Sequence, residues 1–227
     1  VGVGEVFGQM LPIAVGIAIS PLPIVAVVLM LATPRGRVNG PAFVLAWIVG
    51  LAVVGAVVIL VAGDSATTDA GTPATGTSWL KLVIGVVLIL LGVRQFRGRP
   101  HGGEQGELPK WMRALDDFRW PKALGAGVVL SAANPKNLLL AIAGAAVIAQ
   151  GGLSDGQEAL SLALFVLIGT IGVAAPVVLY FAMGNRSTAL LEGMRGWLAA
   201  HNAVIMAVLL IVIGAKILGD AISGFSA

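Results

Sequence analysis

The chain has 227 residues, of which 58% are hydrophobic and 11% charged, with no cysteine and a formal net charge of +3. A soluble domain carries about 25% charged residues, so this composition excludes a water-soluble globule and predicts an integral membrane protein. The missing cysteines exclude disulfides, thiolate metal sites and thiol redox relays.

Six apolar stretches are long enough to cross about 30 Å of hydrocarbon: 6–31, 41–62, 79–96, 123–149, 160–183 and 203–222. The first has no basic residues ahead of it and is too long for a signal-peptide core, so it is expected to be a retained span. Its centre reads AVGIAISPLPIVAVVLML and is interrupted at Ser20-Pro21, with Pro23 close behind. Proline removes a backbone donor and clashes with the carbonyl one turn earlier. In lipid a freed polar group costs several kcal/mol, so such a break persists only beside protein or a water-filled cavity. Arg35 and Arg37 follow this span. The second and third spans flank a polar loop, GDSATTDAGTPATGTS, with Asp64 and Asp69.

The third span leads into the one sizeable polar segment, residues 97–122. RGRPHGGEQGE reads as a linker. LPKWMRALDDFRWPKAL spaces Trp111, Leu115 and Phe118 as a short amphipathic helix lying at the membrane surface would. The fourth span reads GAGVVLSAANPKNLLLAIAGA and breaks at Asn134-Pro135, followed by Lys136 and Asn137. A lysine at mid-span costs a few kcal/mol to insert, so it is expected to face a cavity or a partner. The half-helix after the break would aim its positive dipole end at the same gap. Together they suit an anion: phosphate, sulfate or carboxylate. The competing structural role for Lys136 is bonding to carbonyls that the break frees. Ser20, Asn134 and Asn137 can likewise cap broken backbone or hold a ligand.

Asp155 and Glu158 precede the fifth span, which contains Pro176 as a site for a kink; Arg186 and Arg195 follow it. His201 and Asn202 are expected to cap the sixth span, and Lys216 to snorkel towards the outer interface. Gly50, Gly55, Gly125, Gly169 and Gly172 are expected to allow close helix packing. Eleven of the fourteen basic residues fall in the odd-numbered loops. The positive-inside rule therefore predicts that these loops are cytoplasmic and both termini outside.

The two halves resemble one another. Pro21 and Pro135 lie 114 positions apart; LILLGVRQF (88–96) matches LIVIGAKIL (210–218) at an offset of 122, and AVVIL (56–60) matches PVVLY (176–180) at 120. Three spans per half force the second half to be inverted, with a site near the midplane between the repeats. The expected fold is therefore all-α: six transmembrane helices as a 3+3 inverted repeat, helices 1 and 4 broken at Pro21 and Pro135. Its parts are residues 1–96, the loop 97–122 with its interfacial helix, and 123–227. The spans carry no central Asp or Glu, which argues against a metal exporter and a carboxylate proton relay. No nucleotide-binding loop, zinc-protease motif or Ser/His/Asp arrangement is visible, so no cofactor and no enzymatic activity are expected.

With NPK in the fourth span and a proline break in the first, the chain resembles the LysE superfamily of exporters. The combination of SPLPI (20–24), ATPRGR (32–37), the basic central loop and SAANPKNLLLA (131–141) is most similar to one branch, the actinobacterial GAP/Sap family of glycopeptidolipid- and sulfolipid-addressing proteins. That resemblance implies outward movement of an envelope lipid, or part of one, across a bacterial inner membrane. The site would comprise Lys136, Asn134, Pro135, Asn137, Ser20, Pro21 and Pro23. The partners implied are membrane lipids, an anionic lipid-like substrate and envelope-lipid synthesis or export proteins; a homodimer suits the small-residue faces, and nothing points to nucleic acid. Two alternatives stay open: a LysE-like exporter of amino acids or other small organic ions, and a non-transporting scaffold for envelope-lipid assembly.

Overall fold

A computed structural model describes residues 2–68, 75–98 and 119–225. The amphipathic segment expected around Trp111, Leu115 and Phe118 lies outside the described residues, as does the middle of the outer loop.

The described elements are helical: α1 (Val3–Ala18), α2 (Pro21–Leu31), α3 (Gly36–Thr68), α4 (Thr75–Arg97), α5 (Trp120–Val128), a π-helical turn (Val129–Ala133), α6 (Pro135–Ala149), α7 (Asp155–Met183) and α8 (Ser187–Phe225). Four stretches are long enough and apolar enough to span a membrane: Gly36–Ala62, Ser78–Arg97, Asp155–Met183 and Ala200–Gly224. Two further pairs qualify as bent units, α1 with α2 at 47° and α5 through α6 at 61°. Counting each pair as one span gives the expected six, in an all-α multi-span membrane protein.

Both bends form where the sequence places a small polar residue before proline. Ser20 (φ −86°, ψ 106°) and Asn134 (φ −68°, ψ 120°) are extended, as the steric demand of a following proline ring favours. Each then caps the next half-helix, with proline at its first position, where the missing N–H costs nothing. Pro12, Pro41 and Pro176, by contrast, lie inside continuous helices.

The protein is apolar on its surface as well as in its core. On α3, Leu45, Val49, Val53, Val57 and Leu60 are exposed at nearly one residue per turn, a face whose solvent is hydrocarbon. The buried core instead gathers Met10, Ile13 and Ile17 of α1, Phe43, Trp47 and Leu51 of α3, Leu140 of α6 and Phe165 of α7. Trp47 stacks on Phe43 and donates its Nε1–H to the Gly169 carbonyl at 3.3 Å. Gly172 lets α7 approach the carbonyl of Ala18, and Gly127 lets α5 approach the carbonyl of Phe43. Gly50, Gly55 and Gly169 also make close contacts, but Gly125 does not: nothing lies within 4 Å of where its Cβ would be. It faces away from α3, on the opposite side of α5 from Gly127.

One further expectation needs correction. α8 runs unbroken from Ser187, so His201 and Asn202 do not start a helix; His201 stacks on Trp197, with Nδ1 2.8 Å from the Trp197 carbonyl. Lys216, expected to snorkel, is partly exposed and pairs with Asp220 one turn on at 2.9 Å.

Candidate functional site

The two bends meet at the centre of the molecule, and α6 joins them chemically. In an intact helix the Gly16 carbonyl would accept the N–H of residue 20, and the Leu130 carbonyl that of residue 134. Both acceptors lose that partner because Ser20 and Asn134 have left helical geometry. Side chains of α6 replace both donors. Lys136 Nζ donates to Gly16 O at 2.7 Å, and Asn137 Nδ2 donates to Leu130 O at 2.8 Å. These two carbonyls, each five positions before its proline, were not picked out in the sequence reading. Helical hydrogen-bond arithmetic from the two prolines locates them.

A second set of bonds ties the donors together. Lys136 Nζ donates to Ser20 Oγ at 2.5 Å, and Ser20 Oγ donates to Asn137 Oδ1 at 2.8 Å. Asn134 Oδ1 accepts the backbone N–H of Lys136 at 3.1 Å, capping α6. The network thus links α1, α2, the π-helical turn and α6 into one polar knot inside an apolar core. Lys136 is 4% exposed, Ser20 2% and Asn137 0%. Ser131, next to Leu130, is also fully buried and bonds back to the Val128 carbonyl at 3.1 Å.

Ser20, Lys136 and Asn137 are thus brought together as expected. Asn134 contributes through the backbone of Lys136. Pro21 and Pro23 are buried and shape the bend, whereas Pro135 is exposed and makes no side of the knot. The π-helical turn before Asn134 was not foreseen; a single inserted residue per turn leaves no periodic signal in a run of alanine, valine and leucine.

The electrostatics are lopsided. Every hydrogen-bond partner that holds the Lys136 ammonium is neutral, a carbonyl and a hydroxyl. The described acidic residue deepest in a span, Asp220, is engaged with Lys216. No cluster of three or more His, Cys, Asp or Glu that could hold a metal occurs among the described residues. Lys136 thus has no counter-charge among its hydrogen-bond partners, and an anion brought beside its ammonium form would be attracted more strongly than in water. The α6 N-terminus adds little to it directly, since Pro135 has no N–H and that of Lys136 is capped by Asn134.

Residues 10–223 match the family model described as Sap, sulfolipid-1-addressing protein, and the chain belongs to that family. Neither the curated proteins nor the solved structures gave a match.

Proposed function

We propose that this member of the sulfolipid-1-addressing family is a transporter that moves an anionic amphiphile, an envelope lipid or a lipid-linked precursor, outward through the site between its two bent spans. The observation that carries the reading is Lys136: a buried cation at the junction of two broken helices, bonded to neutral oxygens only. Breaks of this kind are where transporters place their substrates. The chain itself contributes binding and passage and no covalent chemistry. In this reading the membrane is the bacterial inner membrane, the basic loops are cytoplasmic and both termini face out.

The architecture proposed with it is the 3+3 inverted repeat, and the contacts between α4 and α8 support it. Gly85 and Gly214 approach each other's carbonyls; a shift of 122 residues carries that pair onto Ala207 and Gly92, which also touch. The same shift carries Gly214–Ile89 onto Gly92–Ile211, again a contact made. Gly16 and Leu130, the two carbonyls served by α6, are related by the 114-residue offset of the prolines.

The test is lipid translocation in proteoliposomes. The probes are a fluorescent sulfated galactosylceramide and its unsulfated counterpart, which differ only in the anionic group. Wild-type protein is expected to accelerate movement of the sulfated probe, and Lys136→Ala to abolish this, with Lys136→Arg retaining part. Equal rates for wild type and Lys136→Ala would refute the reading. They would leave Lys136 as a structural donor to Gly16 O, and rates no faster than those of protein-free vesicles would favour a non-transporting scaffold.

A further inference from the structure

The bend at Ser20 has an apolar neighbour that the polar knot does not use. Ile19 and Ile24 on either side of the break, Gly172 and Ala175 of α7, and Met194 and Trp197 of α8 line a groove of about 340 Å³. That volume lies within the range of about 300–1,000 Å³ typical of small-molecule sites. Its floor is closed by buried Ile24 and Leu198; its rim residues Ile19, Ile171 and Trp197 are 41%, 57% and 57% exposed. No charged side chain lines it.

Three features identify the occupant. The groove opens at the level of a mid-span break, so what reaches it from the side is hydrocarbon. The polar knot lies directly behind its wall, since Ile19 lines the groove and the next residue, buried Ser20, accepts from Lys136. Towards the ends of the same three helices a smaller cavity of about 60 Å³ continues the seam, lined by Leu31, Tyr180, Ser187 and Glu192. An apolar slot running from a helix end to within one residue of the Lys136 network fits one kind of molecule, an amphiphile with an anionic head.

We propose that the groove between α2, α7 and α8 is a lateral acyl-chain site: it holds one chain of the transported lipid while the head is drawn towards Lys136. This rests on the anionic-amphiphile reading above, and its test is separable from it. Full-length protein would be reconstituted with a trace of phosphatidylglycerol carrying a diazirine in one acyl chain, illuminated, and the adducts mapped by mass spectrometry. Adducts at Ile19, Ala175 and Met194 are expected to exceed those at Leu167 and Val178 by about tenfold, the ratio that 1.4 kcal/mol of preference gives. The two reference residues lie on α7 and are 64% and 63% exposed. Ala175→Trp should remove the groove adducts and spare the reference ones, with Ala175→Leu as a smaller filling change if the Trp variant misfolds. Equal labelling at groove and reference positions, or labelling indifferent to both substitutions, overturns the proposal. So does efficient disulfide-linked dimerisation of Ala175→Cys in place of lipid labelling, which would make a second copy the occupant. Groove labelling that survives in Lys136→Ala supports the site. If wild-type protein then moves no sulfated probe, the transport reading falls and the acyl site stands.

Discussion

The charge of the central knot can be cancelled with almost no change in shape, by Asn137→Asp. The new carboxylate would occupy the position of an amide whose Oδ1 accepts from Ser20 Oγ at 2.8 Å, and Ser20 in turn accepts from Lys136 Nζ at 2.5 Å. Carboxylate and ammonium would therefore lie about 5 Å apart, and at an effective dielectric near 20 they attract by about 3 kcal/mol. Against this stands the lost bond from Asn137 Nδ2 to the Leu130 carbonyl, a buried acceptor left unpaired at about 1–3 kcal/mol. Desolvation of a carboxylate at this fully buried position adds several kcal/mol of cost, so the variant should unfold at a lower Tm, and transport is compared only for the folded protein. Its attraction for an anion should fall by about the Coulomb term, roughly a hundredfold in affinity at 1.4 kcal/mol per decade. The assay pairs thermal unfolding in detergent with translocation of the sulfated lipid probe at sub-saturating concentration. A folded Asn137→Asp protein that moves the probe at the wild-type rate would refute the claim that the uncompensated ammonium draws the substrate.

Two other outcomes follow from local geometry. Gly127→Ala places a Cβ 2.5 Å from the Phe43 carbonyl and 2.8 Å from Ala46 Cβ, overpacking that should cost about 1–3 kcal/mol. Gly125→Ala, two residues away with open space at its Cβ, should be neutral or up to about 1 kcal/mol stabilising through helix propensity; Tm values shifting alike for the two would contradict the packing of α5 on α3. Because the chain has no native cysteine, exposed Arg35→Cys and Asp155→Cys should react with a membrane-impermeant maleimide from opposite sides, Arg35→Cys only from the cytoplasm. Labelling of both from one side would overturn the proposed orientation.

The helices were legible because hydrocarbon imposes a length and a composition on them, and the breaks because proline leaves a mark that tertiary context seldom erases. Proline alone was not a sufficient signal, however. Pro12, Pro41 and Pro176 sit inside continuous helices, while Pro21 and Pro135 follow residues that have gone extended. What distinguishes the two breaks is a donor supplied from elsewhere to the carbonyl each leaves open, and that donor is 120 residues away for Gly16. Sequence distance of that kind carries no periodicity. The same limit explains α8: its charged first turns read as loop, yet buried Leu191 and Leu198 continue the helix past the apolar span.

The satisfied state of Lys136 bears on mechanism more than its burial does. Lys136 gives two of its three N–H donors to Gly16 O and Ser20 Oγ, so an anion gripped by more than one donor must displace one of those acceptors. Both acceptors belong to the first bent span and Lys136 to the fourth, and Ser20 Oγ of the first donates in turn to Asn137 Oδ1 of the fourth. An anion that captures the ammonium would thus release the Gly16 carbonyl and weaken the tie between the two spans. Substrate binding and separation of the halves would then be one event, with the anion's interaction offsetting the loss of a charge-assisted bond worth about 1.5–3 kcal/mol. Lys136 is buried in this structure, which in the proposed cycle would be the closed, substrate-free form. Such a lock opens only for a ligand that binds the open form better than the closed one, and an anionic head beside a free ammonium meets that condition where a neutral head does not.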